Sequence, residues 1–368
     1  MSDARSIRHA VDGDGVTPGY LNQLRGISGH SECFDKVHVQ ESRTYGDQMV
    51  STAARVLFSA EYRAGHGSGL PEQLMLKIAR TDDDVMAPFY ANEVAFYNRL
   101  RPELEIEAPH SLGGHYDPSS RHFALLLEDL TARGAHFPNV LETVSTSQIR
   151  SLLDDLAILH ARFWNSDRFA GDLQWVGTAL EGDVAVLLND AAAPYIQHEI
   201  DNQKFKNELV GMIGWNGEEL RASMKAMHRH QQSLDQCLVH GDTHLGNCYF
   251  LPGDKGGLLD WQLMGRGHPM HDVSYIISTG LSIAERRVHE QELLLYYLDQ
   301  LGEAGAANPP DFDACWTEYR RSQIWNVYVG WLTTPVVNYG WEINVMNHLR
   351  LVTAFEDLDT GKLVRDIM

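Results

Sequence analysis

The first third of the chain alternates apolar and polar positions in the way that β-strands do. Residues 50–60 show this pattern, and the stretch LMLKIA at 74–79 repeats it after the glycine-rich AGHGSGLPE at 64–72. Glycine clusters between two such runs are typical of turns, so the region predicts strand, loop and strand. A further apolar run, FALLLEDL at 123–130, predicts another strand, which ends in an acidic pair.

Two charged residues interrupt the apolar patterns of this region. Lys77 lies inside the LMLKIA strand, and Glu93 lies in the apolar stripe of a helix that Pro88 opens at its first turn. The stripe has helical spacing and consists of Phe89, Glu93, Phe96, Tyr97 and Leu100. Because either charge would be costly to bury alone, we expect the two to form a salt bridge. The first 40 residues lack periodicity and predict an irregular lead-in with one short helix.

The second half of the chain has helical periodicity. Ser145 and Gln148 form a capping-box pattern, and apolar residues then recur at helical spacing for about five turns. From about residue 272 onwards, the pattern predicts several amphipathic helices rich in tryptophan and tyrosine. We therefore predict an α+β fold class, with a β-rich N-terminal lobe at 1–130 and a helical C-terminal lobe at 131–368.

Composition and charge limit the classes of protein to which the chain can belong. Its 368 residues are 43% hydrophobic and 22% charged, as in ordinary soluble globular proteins. The formal net charge of −20 argues against nucleic-acid binding, which needs a surface that neutralises phosphates. There is no run of about 18 apolar residues and no visible signal peptide, so we expect no membrane partner and a cytoplasmic location. Four scattered cysteines, never spaced as CxxC, indicate reduced thiols.

The stretch LVHGDTHLGNCYF at 238–250 crowds polar residues between two apolar runs. Gly241 and Gly246 disfavour a helix, so we expect these residues on a tight loop that enters the CYFL strand. The PGDKG turn and the GLLDW run that follow are expected to bring Asp260 back towards Asn247. An amide oxygen and carboxylates in one place suit Mg²⁺, which takes its other ligands from phosphates and water.

The spacing His-x-Asp-x4-Asn, with an aspartate thirteen residues further on, resembles the catalytic apparatus of the protein-kinase-like fold. It is similar to that of the aminoglycoside and choline phosphotransferases and, more closely, to that of the ecdysteroid-kinase-like phosphotransferases. The matched residues are His240, Asp242, Asn247, Leu259, Asp260 and Trp261. The resemblance implies a two-lobed fold, ATP and Mg²⁺ as cofactors, and phosphoryl transfer to a hydroxyl group of a small molecule.

The resemblance also implies a role for each matched position of the C-terminal lobe. Asp242 is expected to act as the base towards the acceptor hydroxyl, and His240 to orient the loop through hydrogen bonds. Asn247 and Asp260 are the expected Mg²⁺ ligands. Asp272, in the HPMHDVSYIIS stretch, resembles the acidic residue that braces the catalytic loop in the family.

In the N-terminal lobe, the resemblance assigns residues to the nucleotide. Lys77 is expected to bind the α and β phosphates while Glu93 holds it. The LLLEDL strand resembles the hinge whose backbone binds adenine, which assigns Glu128, Asp129 and Leu130. The chain has no GxGxxG loop, and the candidate phosphate contacts are Ser51 and Thr52 of TYGDQMVSTAAR. Since Asp-Trp-Gln replaces Asp-Phe-Gly, we do not assume the activation switch of protein kinases.

Two alternative functions remain open on the sequence. A catalytically silent kinase-like module would bind nucleotide without transferring phosphate. Alternatively, His240, Asp242 and His244 form an HxDxH pattern that suits Zn²⁺ or Fe²⁺ in a hydrolase or oxygenase. In the phosphotransferase interpretation, His244 has no assigned role.

The acceptor itself is less closely defined by the sequence. The likeness to ecdysteroid-kinase-like proteins and the aromatic C-terminal segment favour a hydrophobic alcohol. The acidic net charge keeps an aminoglycoside or a choline-like amine open. The sequence makes no prediction of the oligomeric state.

Overall fold

The computed structural model describes residues 9–10, 12–43, 53–79, 86–332, 334 and 336–368. The chain divides into two compact units. The N-terminal unit comprises Met1–Glu103 and Ala108–Ala135, and the C-terminal unit comprises Leu104–Glu107 and His136–Met368. The short segment Leu104–Glu107 thus belongs to the second unit, although the chain on either side of it belongs to the first.

A five-stranded antiparallel sheet forms the centre of the N-terminal unit. Its strands are β1 (Phe34–Arg43), β2 (Ala53–Tyr62), β3 (Gln73–Ala79), β4 (Ser111–Asp117) and β5 (His122–Glu128). Their order across the sheet is β1-β2-β3-β5-β4, so β3 is the central strand. Helix α1 (Pro18–Ile27) packs on β1 and β4, whereas helix α2 (Ala87–Ala95) packs on β4 and β5. A π-helical turn, Phe96–Leu100, continues α2.

Side chains along β3 point alternately to the two faces of the sheet. Leu74, Leu76 and Ile78 belong to an apolar core that also contains residues of α1. Because successive side chains of a strand point to opposite faces, Lys77 points to the other side, where it contacts Glu93 of α2. The central strand therefore supplies both a core and one buried cation.

The sequence patterns predict three of the five strands. The strands expected at 74–79 and 123–130 and the helix opened by Pro88 are confirmed, and β2 covers the described part of 50–60. The first 40 residues contain the predicted short helix, α1, but they are not an irregular lead-in throughout, because β1 begins at Phe34. Most side chains of β1 are exposed, so this edge strand lacks the alternation that marks a half-buried strand. Strand β4 is likewise not predicted from the sequence, because it contains two glycines and glycine is uncommon in strands.

The C-terminal unit is predominantly helical. Its helices are α3 (Thr146–Arg162), α4 (Asp183–Val186), α5 (Ala193–Asn202), α6 (Lys204–Ile213), α7 (Gly217–Gln231), α8 (Met270–Gly280), α9 (Ile283–Glu303), α10 (Phe312–Trp325), α11 (Val336–Tyr339), α12 (Trp341–Asp357) and α13 (Thr360–Arg365). Two small antiparallel sheets pair β6 (Cys237–Val239) with β9 (Gly265–Gly267) and β7 (Cys248–Leu251) with β8 (Lys255–Leu258). A β-sheet unit followed by a helical unit is the α+β class that the sequence predicts.

Two helices of this unit matter most for the site. Helix α3 begins with the predicted capping box, in which Ser145 and Gln148 satisfy each other's backbone N–H groups. All eleven residues of helix α8 are buried, so the helix is a rigid support for the segments that pack against it. It follows β9 directly and lies against the loop between β6 and β7.

In the part of the chain that the structure describes, no helix has the length and apolar character needed to cross a membrane. All four cysteines are buried and none forms a disulfide, as expected for reduced thiols.

Candidate functional site

A buried ion pair joins the strand lysine and the helix glutamate of the N-terminal unit. Lys77 Nζ lies 2.7 Å from both carboxylate oxygens of Glu93. The two residues are only 4% and 2% exposed. β3 supplies Lys77 opposite Leu125 of β5, and α2 supplies Glu93 from its buried face. The structure thus brings these two sequence-predicted residues together, and removing either charge would break a buried ion pair, which is strongly destabilising.

The last residue of β5 and the start of the 3₁₀ turn that follows it contain the three residues predicted to bind adenine. The N–H of Glu128 donates to the carbonyl oxygen of His110, and that of Asp129 to the carbonyl oxygen of Gln73, each at 3.0 Å. Among the described residues, no carbonyl group accepts such a backbone hydrogen bond from the N–H of Leu130. Leu130 is therefore the best candidate among the three for a backbone donor to a ligand.

The other nucleotide contacts predicted for this unit are Ser51 and Thr52. Both lie outside the described residues.

In the C-terminal unit, the polar residues of 238–250 lie on a loop between β6 and β7. A 3₁₀ turn, Leu245–Asn247, leads into β7, and the β7–β8 hairpin returns the chain to Asp260. Gly241 has a φ of +86°, and a Cβ atom at this position would lie 2.2 Å from the carbonyl oxygen of Leu263. Only glycine fits both the backbone angle and the close approach, so the loop depends on it.

Asp242, Asn247 and Asp260 meet at one end of the hairpin. Asn247 Nδ2 donates to both the carbonyl oxygen and Oδ2 of Asp242, each at 2.9 Å. The carbonyl oxygen of Asn247 accepts from the N–H of Leu259 at 2.9 Å, which brings Asp260 next to it. The Asp242 side chain keeps 16% exposure, whereas most of the loop is buried. Burial raises the pKa of Asp242 to about 7; the negative charge of Asp260 adds to this and the hydrogen bond from Asn247 opposes it.

His240 uses both of its ring nitrogens on the backbone of the site. Nδ1 accepts from the N–H of Asp242 at 3.2 Å, and Nε2 donates to the carbonyl oxygen of Leu259 at 2.8 Å. The ring is fully buried and lies against that of Trp261, with centroids 4.4 Å apart. Burial lowers the pKa of His240, although the charge of Asp272 opposes the shift. A neutral ring in this tautomer ties Asp242 to the segment that carries Asp260.

The carboxylate of Asp272, on α8, binds the backbone of the loop directly. Its Oδ2 accepts from the N–H of His240 at 2.6 Å, and its Oδ1 from that of Gly241 at 2.9 Å. His160 Nε2 donates to Oδ2 at 3.2 Å, and Thr243 Oγ1 donates to the carbonyl oxygen of Asp272 at 2.8 Å. Burial opposes ionisation of this carboxyl, but the hydrogen bond and charge of His160 outweigh it and lower the pKa of Asp272. An ionised, buried carboxylate therefore fixes the conformation of the loop.

Sequence reasoning missed His160 and Tyr297, which complete this network. His160 Nδ1 lies 2.7 Å from Tyr297 Oη, and both side chains are fully buried. The available signal is that His160 lies one turn after Leu156, inside the apolar stripe of α3. A polar residue inside an apolar stripe is the same signal that points to Glu93.

The geometry does not favour the alternative Zn²⁺ or Fe²⁺ site at the HxDxH residues. Both ring nitrogens of His240 are taken by the backbone, and Nδ1 of His244 accepts from the N–H of Gly246 at 3.1 Å. Across the described ranges, no three histidine, cysteine or acidic side chains are arranged to hold a metal ion. Burial lowers the pKa of His244 to about 4, although the charge of Asp260 opposes the shift. The histidines of the motif therefore serve the loop itself.

Oxygen atoms at the end of the hairpin fit the Mg²⁺ that the resemblance implies. Because Nδ2 of Asn247 is committed to Asp242, the amide is oriented and its Oδ1 is directed away from that bond. Asp260 has a backbone φ of +64°. Its carboxylate lies close enough to Asp242 for its negative charge to raise the pKa of Asp242. One amide oxygen and one carboxylate form the small set of hard ligands that Mg²⁺ uses when phosphates and water supply the rest.

Comparison with known proteins identifies the family. A model described as the phosphotransferase enzyme family (APH) matches residues 57–309. Choline kinase from Cryptosporidium parvum Iowa II is a structural neighbour, with a TM-score of 0.52 and 11% identity over 90% of this chain and 91% of that chain. Ethanolamine kinase from Plasmodium vivax gives a TM-score of 0.51 and 10% identity over 88% of this chain and 83% of that chain. No curated protein sequence matches the chain.

Because the family match spans more than half of the chain, the protein belongs to the phosphotransferase enzyme family. It is a small-molecule phosphotransferase, and the predicted superfamily and kinase-like α+β fold are confirmed. At 10–11% identity, the two kinases show only that this chain shares their fold. The closer likeness to ecdysteroid-kinase-like proteins is not tested by these comparisons and stays a prediction.

Proposed function

We propose that the chain is an ATP- and Mg²⁺-dependent O-phosphotransferase that phosphorylates a hydroxyl group of a small molecule. The observation that carries the proposal is the setting of Asp242. This accessible carboxylate is bound by Asn247, lies close to Asp260, and sits on a loop whose backbone is fixed by Asp272. A carboxylate held so firmly suits a base that must meet one hydroxyl group in one orientation.

In the proposed reaction, the acceptor hydroxyl oxygen attacks the γ-phosphorus of ATP. The hydroxyl proton passes to Asp242, an oxygen–phosphorus bond forms, and the bond from the γ-phosphorus to the β–γ bridging oxygen breaks to release ADP. General-base help of this kind is typically worth about 10²- to 10⁴-fold, or about 3–5 kcal/mol. Since phosphoryl transfer has a loose transition state, positioning by the loop is expected to matter at least as much.

We assign the nucleotide to residues of the N-terminal unit and the metal ion to residues of the C-terminal unit. Bound Mg²⁺ would neutralise negative charge on the phosphates, and Asn247 and Asp260 are the residues proposed to hold it. Lys77 is proposed to bind the α and β phosphates while Glu93 fixes its direction, and the N–H of Leu130 is proposed to bind adenine. The remaining proposed nucleotide contacts are Glu128, Asp129, Ser51 and Thr52.

The acceptor is proposed to be a polar hydroxylated compound. A cavity of about 430 Å³ in the C-terminal unit is lined by α5, by the start of α7 and by Tyr328, and its charged lining residues are Asp190, Glu218 and Arg221. These charges compensate one another, since Arg221 lies 2.8 Å from Glu218 and 3.6 Å from Asp190. The preference for an amine-bearing acceptor over the hydrophobic alcohol that the aromatic C-terminal segment favours therefore rests on the net charge of −20. Choline and ethanolamine, which name the two neighbouring kinases, are amines of this kind.

ADP release from purified protein with ATP and Mg²⁺ tests the proposal. The panel of acceptors contains choline, ethanolamine, an aminoglycoside and a sterol. We expect release with at least one compound, loss of release with EDTA, and recovery with excess Mg²⁺. ATP binding without ADP release from any compound would instead favour the silent module. Faster release with the sterol than with the amines would return the acceptor to the hydrophobic class.

A further inference from the structure

His244 has no assigned role, although it lies two residues after Asp242 in the same loop. Its side chain is 10% exposed. Nδ1 accepts a hydrogen bond from the backbone N–H of Gly246 at 3.1 Å. A nitrogen that accepts carries no hydrogen, so the ring is neutral and its single N–H is on Nε2. The tautomer of His244 is thus set by the loop backbone.

The Nε2–H group of His244 faces the proposed base. Nε2 lies 3.9 Å from Oδ2 of Asp242, the same oxygen that accepts from Asn247. This separation is too long for a direct hydrogen bond, but an oxygen atom at about 2.8 Å from both atoms would bridge them with an angle of about 90°. A hydroxyl group in that position would donate to Asp242 and accept from His244.

The ring is held in this direction by its surroundings. The carbonyl oxygen of His244 accepts from the N–H of Asn247 at 2.8 Å, which closes the 3₁₀ turn. The imidazole lies beside the ring of Tyr275 on the buried helix α8, with centroids 5.9 Å apart. Residues on two sides therefore limit the rotation of the donor.

We propose that His244 binds the acceptor hydroxyl through Nε2–H and orients it between itself and Asp242. The inference rests on the proposed function. The hydroxyl proton passes to Asp242, the oxygen lone pair that is not bound to His244 forms the bond to the γ-phosphorus, and ADP leaves. His244 stays neutral and transfers no proton. Loss of one such bond in the reacting geometry is expected to lower turnover by about 10- to 100-fold.

Two substitutions of His244 distinguish binding of the acceptor hydroxyl from acceptance of the hydrogen bond from the Gly246 N–H group. His244→Asn keeps an acceptor atom near the position of Nδ1 but has no group at the position of Nε2. His244→Gln has an amide N–H near the position of Nε2 but loses the acceptor at Nδ1. We expect His244→Asn to lower kcat by about 10- to 100-fold with an unchanged KM for ATP and a melting temperature near that of the wild type. We expect His244→Gln to retain most of kcat even if its melting temperature falls.

ADP release is followed with the fastest acceptor among choline, ethanolamine, an aminoglycoside and a sterol, and with water alone. An active His244→Asn beside an impaired His244→Gln would assign only the capping role and overturn the inference. Equal kcat in both variants, high or low, would also overturn it. If the wild type releases no ADP, or if Asp242→Asn matches the wild type, the proposed function fails and the inference fails with it. Long-range ¹H–¹⁵N spectra should show His244 protonated on Nε2, and protonation on Nδ1 would contradict its premise.

Discussion

Replacing Asp272 by asparagine should destabilise the C-terminal unit and slow turnover together. The carboxylate accepts three hydrogen bonds, from the N–H groups of His240 and Gly241 and from His160 Nε2. The asparagine side chain keeps one oxygen that can accept a hydrogen bond. Its NH₂ group would instead face at least one of the three buried donors, which then has no acceptor. Hydrogen bonds to charged groups are worth about 1.5–3 kcal/mol, and a stranded buried donor costs about 1–3 kcal/mol, so we expect a loss of about 3 kcal/mol.

For a unit of this size, that loss corresponds to a fall of about 6–12 °C in melting temperature. Because a loop displaced by about 1 Å can cost about 100-fold in rate, we expect kcat to fall by about 10- to 100-fold. Calorimetry and ADP release measure the two effects. Glu290→Gln is the matched control, since Glu290 is a buried carboxylate held by Arg286 and Tyr319 away from the loop.

The control should lose stability without losing turnover. Wild-type kcat in Asp272→Asn, or equal losses of kcat in both variants, would refute the role of Asp272 in fixing the loop. The pH dependence has a definite sign, because the pKa of Asp272 is lowered on folding. Its contribution is present above the unfolded pKa of about 3.9 and is lost as the pH falls through the folded pKa, so the difference between wild type and variant should shrink below about pH 4.

Substitutions of Lys77, Gly241 and Asp155 test other parts of the structure. Lys77→Met should raise the KM for ATP at least about tenfold with little change in KM for the acceptor, because the proposed phosphate contact is lost, and ADP release at varied ATP measures this. Gly241→Ala should abolish turnover and lower the melting temperature, since its Cβ would meet the carbonyl oxygen of Leu263 at 2.2 Å; a soluble, active variant would contradict this. Asp155→Asn should raise the melting temperature at pH 7.5 but not at pH 4. Burial raises the pKa of Asp155 to about 8, so ionisation of the unfolded state costs stability at up to about 1.4 kcal/mol per pH unit between about pH 4 and 8.

Much of the site was predictable because its residues contradict their local pattern. Lys77 and Glu93 stand out as single charges in apolar stripes, and the structure pairs them at 2.7 Å. Asp260 was expected near Asn247 because a short hairpin separates them, and the Leu259–Asn247 hydrogen bond closes that hairpin. In each case, a local rule about burial or turn length fixes the outcome.

Other features depend on contacts between distant parts of the chain. The sequence places Asp272 near the start of a helix, but its bonds to His240 and Gly241 depend on how α8 packs against the loop. The tautomer of His244 likewise depends on the N–H of Gly246, which no residue pattern reveals. Edge strand β1 is invisible for a different reason, since exposed side chains carry no periodic signal.

The most direct test of the account compares ADP release by the wild type with that of Asp242→Asn, under saturating ATP and Mg²⁺ and with the best acceptor of the panel. Asp299→Asn, an exposed substitution on α9, is the control and should match the wild type. We expect kcat to fall by about 10²- to 10⁴-fold in Asp242→Asn, with ATP binding and melting temperature retained. Turnover at the wild-type rate in a folded Asp242→Asn protein would show that Asp242 is not the base and would contradict the proposed function.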